Sequence, residues 1–180
     1  MNKIEPLHEK LLVLHQALGI APDYLDTCKM PLCSEANRLI DTELDYYQRP
    51  QRLMPEAFQA WSAMKQAAAT QQISIFLISA FRDYQYQHDV IARKLAEGRS
   101  ITEILSVNAA PGFSEHHTGC AIDIGTEGCE ALVENFENTK AFQWLTENAA
   151  NYGFRMTYPR NNSYEMAYEP WHWCFAEGQP

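Results

Sequence analysis

The chain has 180 residues, of which 46% are apolar and 12% aromatic, and its 14 basic against 23 acidic side chains give a formal charge of −9. This length predicts one domain that is large enough to fold around its own core, and the composition excludes a disordered chain. The acidic balance argues against a protein whose main task is to hold nucleic acid or an anionic membrane, because such proteins need a basic surface.

The N-terminal sequence does not have the pattern of a secretory signal, because Glu5, His8, Glu9 and Lys10 interrupt its apolar residues. Even the longest apolar runs, such as that at 75–78, are far short of the roughly 20 residues that a membrane span requires. An odd number of cysteines, five, fits a reducing compartment. We therefore expect a cytoplasmic protein without a membrane span; export to the periplasm or beyond by a route without a cleaved signal is the alternative.

The first half of the chain shows two helical patterns and one strand pattern. Leucines recur at helical spacing before Gly19, which stands where such a helix ends. Pro55 suits the first position of a second helix, whose inward face carries Trp61 and Met64. The β-branched and aromatic segment at 73–79 predicts a buried strand.

The second half mixes helices with strands. A helix is predicted at 83–98, and Ser100 with Glu103 forms the capping-box pattern that opens a short helix. The remaining predicted elements are a strand at 119–125, a helix at 139–152, and strands at 154–158 and 171–175. Helices followed by strands mixed with helices, joined by short links, indicate a single α+β domain over 1–180 with a small, mostly antiparallel sheet.

The segment SEHHTGCAIDIG, at 114–125, places an ionisable side chain inside an apolar strand. Strand alternation puts Asp123 on the same face as two small residues, which leave space above the sheet. A buried carboxylate is costly unless it is paired or bound to a cation. Asp123 therefore either caps a turn or pairs with a lysine, or it shares a metal with a histidine from just before the strand. His116 is the first candidate for this histidine and His117 is the competing one. Because adjacent residues point apart, only one of the two should bind the metal.

The segment YEPWHWCF, at 168–175, carries a histidine between two tryptophans. In a strand or loop, His172 is either a core residue with satisfied hydrogen bonds or a metal ligand. With His116 and Asp123 it would complete a set of two histidines and one carboxylate, which leaves the fourth position of a zinc ion for water. A carboxylate that does not bind the metal can take a proton from that water, and Glu169 is the candidate.

Arg82 follows the predicted strand at 73–79 almost directly. A cation next to such a site can hold a substrate carboxylate and the oxyanion that develops on the attacked carbonyl. The alternative is a solvated arginine at the start of a helix, where the helix dipole slightly disfavours a positive charge.

Together these segments resemble the zinc D-alanyl-D-alanine carboxypeptidases of the VanY type, which are relatives of the D-Ala-D-Ala dipeptidases. The family pattern Ser-x-His-x-x-Gly-x-Ala-x-Asp is complete at 114–123, and Glu-Pro-Trp-His-Trp is unbroken at 169–173. A Ser-x-x-Arg element is matched by Ser79 and Arg82. The resemblance covers roughly residues 54–175 and implies a small sheet flanked by helices, as in lysostaphin-type peptidases and the hedgehog signalling domain.

The resemblance also implies roles for individual residues. Three of them are implied as the ligands of one zinc ion per chain: His116, Asp123 and His172. Glu169 is implied as the general base and Arg82 as the group that holds the oxyanion and the substrate carboxylate. Gln87 and Ser114 are implied as further contacts of that carboxylate.

The implied function is hydrolysis of the peptide bond before a C-terminal D-alanine in peptidoglycan stem peptides or their fragments, as a D,D- or L,D-carboxypeptidase. The partner is then a peptidoglycan-derived peptide. Two alternatives are an endopeptidase on the same scaffold and a metal-containing peptidoglycan-binding module without catalysis. The complete ligand set together with Glu169 and Arg82 favours an enzyme.

Three features depart from the family pattern. Cys174 stands where the family often has arginine, and His117 replaces a residue that is commonly glutamine. Residues 1–53 match nothing in the pattern. We expect them to form an N-terminal helical extension to a peptidase core at 54–175, either as a cover over the cleft or as a surface for a partner.

Overall fold

The computed structural model describes residues 4–176 of the chain, with side chains from residue 7 onward. The α-helices are α1 (Ile4–Ala17), α2 (Tyr24–Thr27), α3 (Pro55–Thr70), α4 (Tyr84–Ala96), α5 (Ile101–Leu105) and α6 (Lys140–Asn148). The strands are β1 (Ile40–Asp41), β2 (Arg52–Leu53), β3 (Phe76–Ser79), β4 (Ala121–Gly125), β5 (Phe154–Met156) and β6 (His172–Phe175). Short 3₁₀-helical segments lie at Glu115–Thr118, Glu134–Asn138 and Ala149–Tyr152.

The main sheet has four strands in the order β3-β4-β6-β5, and every neighbouring pair is antiparallel. A separate two-stranded pair joins β1 and β2. Helices precede β1 and lie between β2 and β3, between β3 and β4, and between β4 and β5. The predicted α+β class with a small antiparallel sheet is confirmed.

The two faces of the sheet have different surroundings. On one face, Ile122, Ile124 and Trp173 belong to the larger buried cluster, which also contains Trp61 from α3 and Leu145 from α6. Because side chains alternate along a strand, the residues between these apolar positions point to the other face. Asp123 and His172 therefore lie on the face that is turned away from α3 and α6.

A second apolar cluster is built by other parts of the chain. It joins Leu18 after α1 with Ile91 of α4, Ile104 of α5, Phe113 of the following loop and Tyr158 beyond β5. All five are buried. This cluster holds the loop before β4 and the segment before β6 in one unit, and these two segments carry the candidate site residues Ser114, His116 and Glu169.

The differences from the sequence-based expectation concern lengths and short elements; the strand predicted at 154–158, for example, ends at Met156. Residues 73–75 precede the paired part of β3, and the helix predicted to reach residue 152 continues after Asn148 as a 3₁₀ segment. Gly153 ends that segment at φ +75°, where a glycine is favoured. The β1–β2 pair was not predicted, because two-residue strands are too short to show a hydrophobic period.

The N-terminal segment lies behind the loop that carries His116 and His117. The backbone amide of Cys33 donates to the carbonyl of Gly112 (2.7 Å), and that of Ala36 donates to His117 (2.8 Å). In the part of the chain that the structure describes, the two cavities that are lined by Glu169 have no lining residue from 1–53, whereas a third cavity, lined by Ser79 and Arg82, is also lined by residues 49–52. The boundary at residue 54 stays a prediction, and residues 1–3 and 177–180 of the predicted domain lie outside the described residues.

Candidate metal centre and substrate cleft

Strand pairing brings a carboxylate and an imidazole together. In the β4–β6 ladder Asp123 lies directly opposite His172, and in the β3–β4 ladder it lies opposite Ser79. Side chains at directly opposed positions of an antiparallel pair lie within contact distance on the same face. Asp123 and His172 are 3% and 2% exposed, so the pair is withdrawn from solvent.

A tight turn places His116 next to this pair. The 3₁₀ segment Glu115–Thr118 ends at Gly119, whose φ of +68° is in the left-handed region. A Cβ atom at this position would lie 2.7 Å from Leu39 Cδ2 and 3.2 Å from the backbone nitrogen of Met54. Only glycine fits this turn without strain, and the turn leads directly from His116 into β4.

The three side chains form a compact set of possible metal ligands. His116, Asp123 and His172 each offer one ligand atom, and these atoms all lie within 4.8 Å of one another. His116 Nδ1 donates to the carbonyl oxygen of Ala80 at 2.6 Å. Its Nε2 is buried, 3.3 Å from Asp123 Oδ1, and makes no hydrogen bond. Because Nδ1 carries the ring hydrogen, Nε2 is unprotonated, and its lone pair is free to bind a metal ion next to the other two possible ligands.

Glu115 is a site residue that the sequence reasoning missed. Its Oε2 lies 2.9 Å from His172 Nε2, while His172 Nδ1 lies 3.1 Å from Asp123 Oδ1. The Nε2 hydrogen is therefore directed to Glu115, and Nδ1 faces the ligand set. The motif letters contain Glu115, but only the approach of β6 shows which ring it contacts.

His117 is occupied elsewhere. Its Nδ1 donates to the carbonyl oxygen of Arg82 at 2.6 Å, and its Nε2 accepts from the amide of Gly112 at 3.1 Å. Its ring also meets Tyr84 edge-on, with centroids 4.6 Å apart. With both nitrogens hydrogen-bonded, this histidine holds the loop in place, and the structure brings His116, not His117, to Asp123.

The electrostatics of the set agree with a site for a cation. Burial, together with the charge of Arg82, lowers the pKa of His116 to about 4, so its ring is neutral at pH 7. Burial opposes the charged form of Asp123, but His116 and His172 outweigh it and the pKa of this carboxyl is held well below its usual range. Burial likewise opposes protonated His172, but its hydrogen bonds to Asp123 and Glu115 raise its pKa to about 10. The anionic Asp123 thus attracts positive charge, which a metal ion can supply in place of a proton.

The donor set fits zinc on chemical grounds. Two imidazole nitrogens and one carboxylate oxygen form one of the three-ligand sets found in catalytic zinc sites. The unpartnered, buried Nε2 of His116 has no role in the hydrogen-bond network and is oriented for a ligand. The hydrogen bonds of the other ring nitrogens, to Ala80 and Glu115, are the kind that orient metal-binding histidines.

Glu169 reaches the same site from a turn before β6. Its amide donates to the carbonyl of Tyr158 at 3.1 Å, and its own carbonyl accepts from the amide of His172 at 3.1 Å. Burial raises the pKa of its carboxyl to about 7. A carboxyl with a pKa near neutrality can both accept and return a proton, as a general base requires.

The three residues predicted to bind substrate line the cavities beside these ligands. Arg82 lies between β3 and α4, and its buried Nε makes no hydrogen bond. Ser114 and Gln87 line a narrow pocket with His116 and His172. Gln87 Nε2 donates to the carbonyl of Ala109 at 2.7 Å, while its Oε1 is buried and unpartnered. In this orientation Gln87 offers an acceptor and one remaining N–H to a ligand.

Residues 50–178 match the VanY family, described as D-alanyl-D-alanine carboxypeptidase. The chain belongs to this family. The predicted family is therefore confirmed.

Individual VanY relatives give the same result. The chain is 34% identical to the putative carboxypeptidase YodJ of Bacillus subtilis (strain 168), over 73% of this chain and 50% of that protein. It is 30% identical to the bifunctional D-Ala-D-Ala dipeptidase and D-Ala-D-Ala carboxypeptidase VanXYC of Enterococcus gallinarum, over 69% of this chain and 67% of that protein. The match thus spans half the length of YodJ.

A solved structure with the same fold is the LD-carboxypeptidase LdcB. It superposes with a TM-score of 0.69 at 32% identity and covers 81% of this chain and 71% of that one. That structure reveals the molecular basis of peptidoglycan recognition by LdcB. A separate observation is that no helix among the described residues is long and apolar enough to cross a membrane.

Proposed function

We propose that this chain is a zinc-dependent carboxypeptidase that hydrolyses the bond before a C-terminal D-alanine in peptidoglycan-derived peptides. The observation that carries the proposal is the buried set of His116, Asp123 and His172, in which His116 Nε2 has no partner, next to Glu169 and Arg82. Membership of the VanY family and the likeness to LdcB support the same reaction class.

His116, Asp123 and His172 would hold the zinc ion. A zinc ion bound in this way lowers the pKa of its water to about 7 and polarises a carbonyl oxygen. The remaining chemistry belongs to the side chains around it. Glu169, with its pKa near neutrality, takes the proton of the attacking water and delivers it to the leaving amine.

Arg82 supplies the positive charge that the reaction needs. Its guanidinium has no ion-pair partner among the described residues, although it lines the pocket with Glu169 and His172. An unpaired cation of this kind stabilises the oxyanion on the attacked carbonyl and binds the free carboxylate of the last residue. Dependence on that carboxylate makes the enzyme an exopeptidase. Ser114 and Gln87 complete the same pocket.

The test is release of D-alanine from a peptidoglycan pentapeptide and a tetrapeptide, measured side by side. We expect release that stops with a chelator and returns when zinc is added. The preferred peptide identifies the bond that is cut, D,D in the pentapeptide or L,D in the tetrapeptide. Cleavage inside a peptide whose C-terminus is amidated would instead indicate an endopeptidase, and binding without cleavage would indicate a non-catalytic module.

A further inference from the structure

A cavity of about 370 Å³ adjoins the candidate metal centre. Arg82, Asp123 and Glu169 line it, so it is continuous with the proposed reaction site. Lys94 and Arg99, from α4 and the turn after it, also line it. Three acidic side chains, Asp123, Glu134 and Glu169, line it as well, so basic and acidic groups are equal in number here, whereas the chain as a whole has a formal charge of −9.

The basic groups of this cavity differ in what they already bind. The ammonium of Lys94 donates to the side-chain oxygen of Asn108, and among the described residues no carboxylate lies within ion-pair distance of it. Arg99 pairs with Glu103 at 2.9 Å. The acidic residue Glu134, which lines the cavity too, lies 3.3 Å from Arg160. Lys94 and Arg82 are thus the cations that are left for a ligand.

The surroundings of Lys94 favour an incoming anion. The side chain is half-buried, and burial, with the charges of Arg99 and Arg82, lowers its pKa more than the carboxylates of Glu169 and Glu97 raise it. A partly desolvated cation beside two others is in an unfavourable field, and an anion placed between them relieves both the repulsion and the lost hydration. Asn108, which lines this cavity and the narrow pocket next to His116, connects Lys94 with the reaction site.

We propose that Lys94, supported by Arg99 and Asn108, forms a subsite for a second carboxylate of the peptide substrate. The inference rests on the proposed function, in which Arg82 takes the carboxylate of the terminal residue. A terminal alanine has no other carboxylate, so the second one must belong to a residue on the acyl side of the cleaved bond. The substrate class is then an acidic peptide that carries a free carboxylate near its penultimate residue.

Peptidoglycan stem peptides allow a matched test, because the same peptide can be made with a carboxylate or a carboxamide. Three tetrapeptides serve as probes: one with both internal carboxylates free, one with the diaminopimelate carboxylate amidated, and one with the D-isoglutamate carboxylate amidated. We expect one of the two amidations to lower kcat/KM about tenfold, mainly through KM, since a charge-assisted hydrogen bond is lost. If neither amidation lowers kcat/KM, the proposal is overturned.

The variant Lys94→Met removes the charge and keeps the length of the side chain. It is expected to cleave the free and the amidated peptide equally well, whereas Lys94→Arg restores the preference. Lys140→Met, a change at an exposed lysine outside this cavity, is the matched control and retains the full preference. An equal preference in Lys94→Met and wild type would overturn the proposal.

Binding separates this subsite from the catalytic function. Calorimetric titration of the same peptides into zinc-loaded Glu169→Gln measures affinity without turnover. Suppose that Glu169→Gln binds the free peptide more tightly than the amidated ones, and that this difference in affinity disappears in the double variant that also carries Lys94→Met. This result supports the subsite even if wild type releases no D-alanine. Equal affinity for free and amidated peptides, or no binding of any of them, contradicts it.

Discussion

His172 has two ring nitrogens with different tasks. Nε2 is 2.9 Å from Glu115, which accepts its hydrogen, and Nδ1 faces Asp123 at 3.1 Å. A carboxylate behind a metal-binding histidine fixes which nitrogen carries the hydrogen and makes the other a stronger donor. Glu115 would thereby act on the metal through His172, without contact to the substrate, as a positioning residue.

Replacing Glu115 by alanine tests this role. We expect Glu115→Ala to weaken zinc affinity by about 10- to 100-fold, because the hydrogen-bond acceptor that orients His172 is lost. Competition with a chromophoric chelator measures the affinity directly. Glu115→Gln, which keeps an oxygen acceptor, should lose less, and the exposed Glu127→Ala serves as control. Wild-type affinity in Glu115→Ala would show that the contact does not orient the ligand.

Glu169 and His172 are expected to fail in different ways. Glu169→Ala should retain zinc and lose turnover by about 10²–10⁴-fold, because a general base is removed while the ligand set is intact. His172→Ala should lose both zinc and turnover. Metal content after gel filtration and D-alanine release distinguish the two. Retention of stoichiometric zinc by His172→Ala would remove this residue from the ligand set.

At the scale of elements, the sequence predicted the individual helices and strands better than it predicted the pairing of the strands. Strand alternation placed Asp123 on a face with small residues, and the strand nature of 171–175 was visible from its aromatic residues. The direct opposition of Asp123 and His172 depends on the β4–β6 register, which involves residues 49 positions apart. Such long-range pairing leaves no local pattern in the chain.

The same limit explains what was missed around the site. Glu115 contacts His172 across 57 positions of sequence, and its own neighbours give no sign of this contact. Residue chemistry alone left His116 and His117 as competing ligands, and the family pattern selected His116. The physical reason appears only in the structure, where the carbonyl of Arg82 and the amide of Gly112 together use both nitrogens of His117.

The turn at Gly119 connects the 3₁₀ segment of His116 to β4, and it should not tolerate a side chain. We expect Gly119→Ala to destabilise the protein by about 1–3 kcal/mol, from the left-handed backbone and from contact with Leu39 and Met54. Thermal unfolding measures the effect. Gly98→Ala is the matched control: its φ is +91° but no atom lies within 4 Å of the added Cβ. Equal losses in both variants would mean that the close approach at Gly119 contributes nothing.

At the scale of the molecule, the N-terminal segment and the site loop form one unit. Tyr84 at the start of α4 donates its hydroxyl to the carbonyl of Cys33 at 2.9 Å and accepts from the amide of Glu35 at 3.1 Å. Glu35 Oε1 in turn accepts from the amide of Tyr84 at 2.6 Å. These contacts attach residues 33–36 to α4 and to the loop that carries His116, so the segment helps to hold the site residues in place.

The proposed metal centre joins three separate stretches of this unit: the 3₁₀ segment with His116, β4 with Asp123, and β6 with His172. A ligand that binds only the folded chain stabilises it by about 4 kcal/mol at 1,000 times its dissociation constant. For a domain of this size each kcal/mol corresponds to roughly 2–4 °C, so zinc added to metal-free protein should raise Tm by about 10 °C.

The control for this thermal shift is His172→Ala, which lacks one ligand and should gain far less from zinc. Differential scanning calorimetry with and without zinc, on both proteins, gives the comparison. Because the readout is stability, it tests the ligand set independently of any peptide substrate. The same Tm with and without zinc in the wild-type chain would contradict a metal centre at these residues, whereas an equal rise in both proteins would place the ion elsewhere.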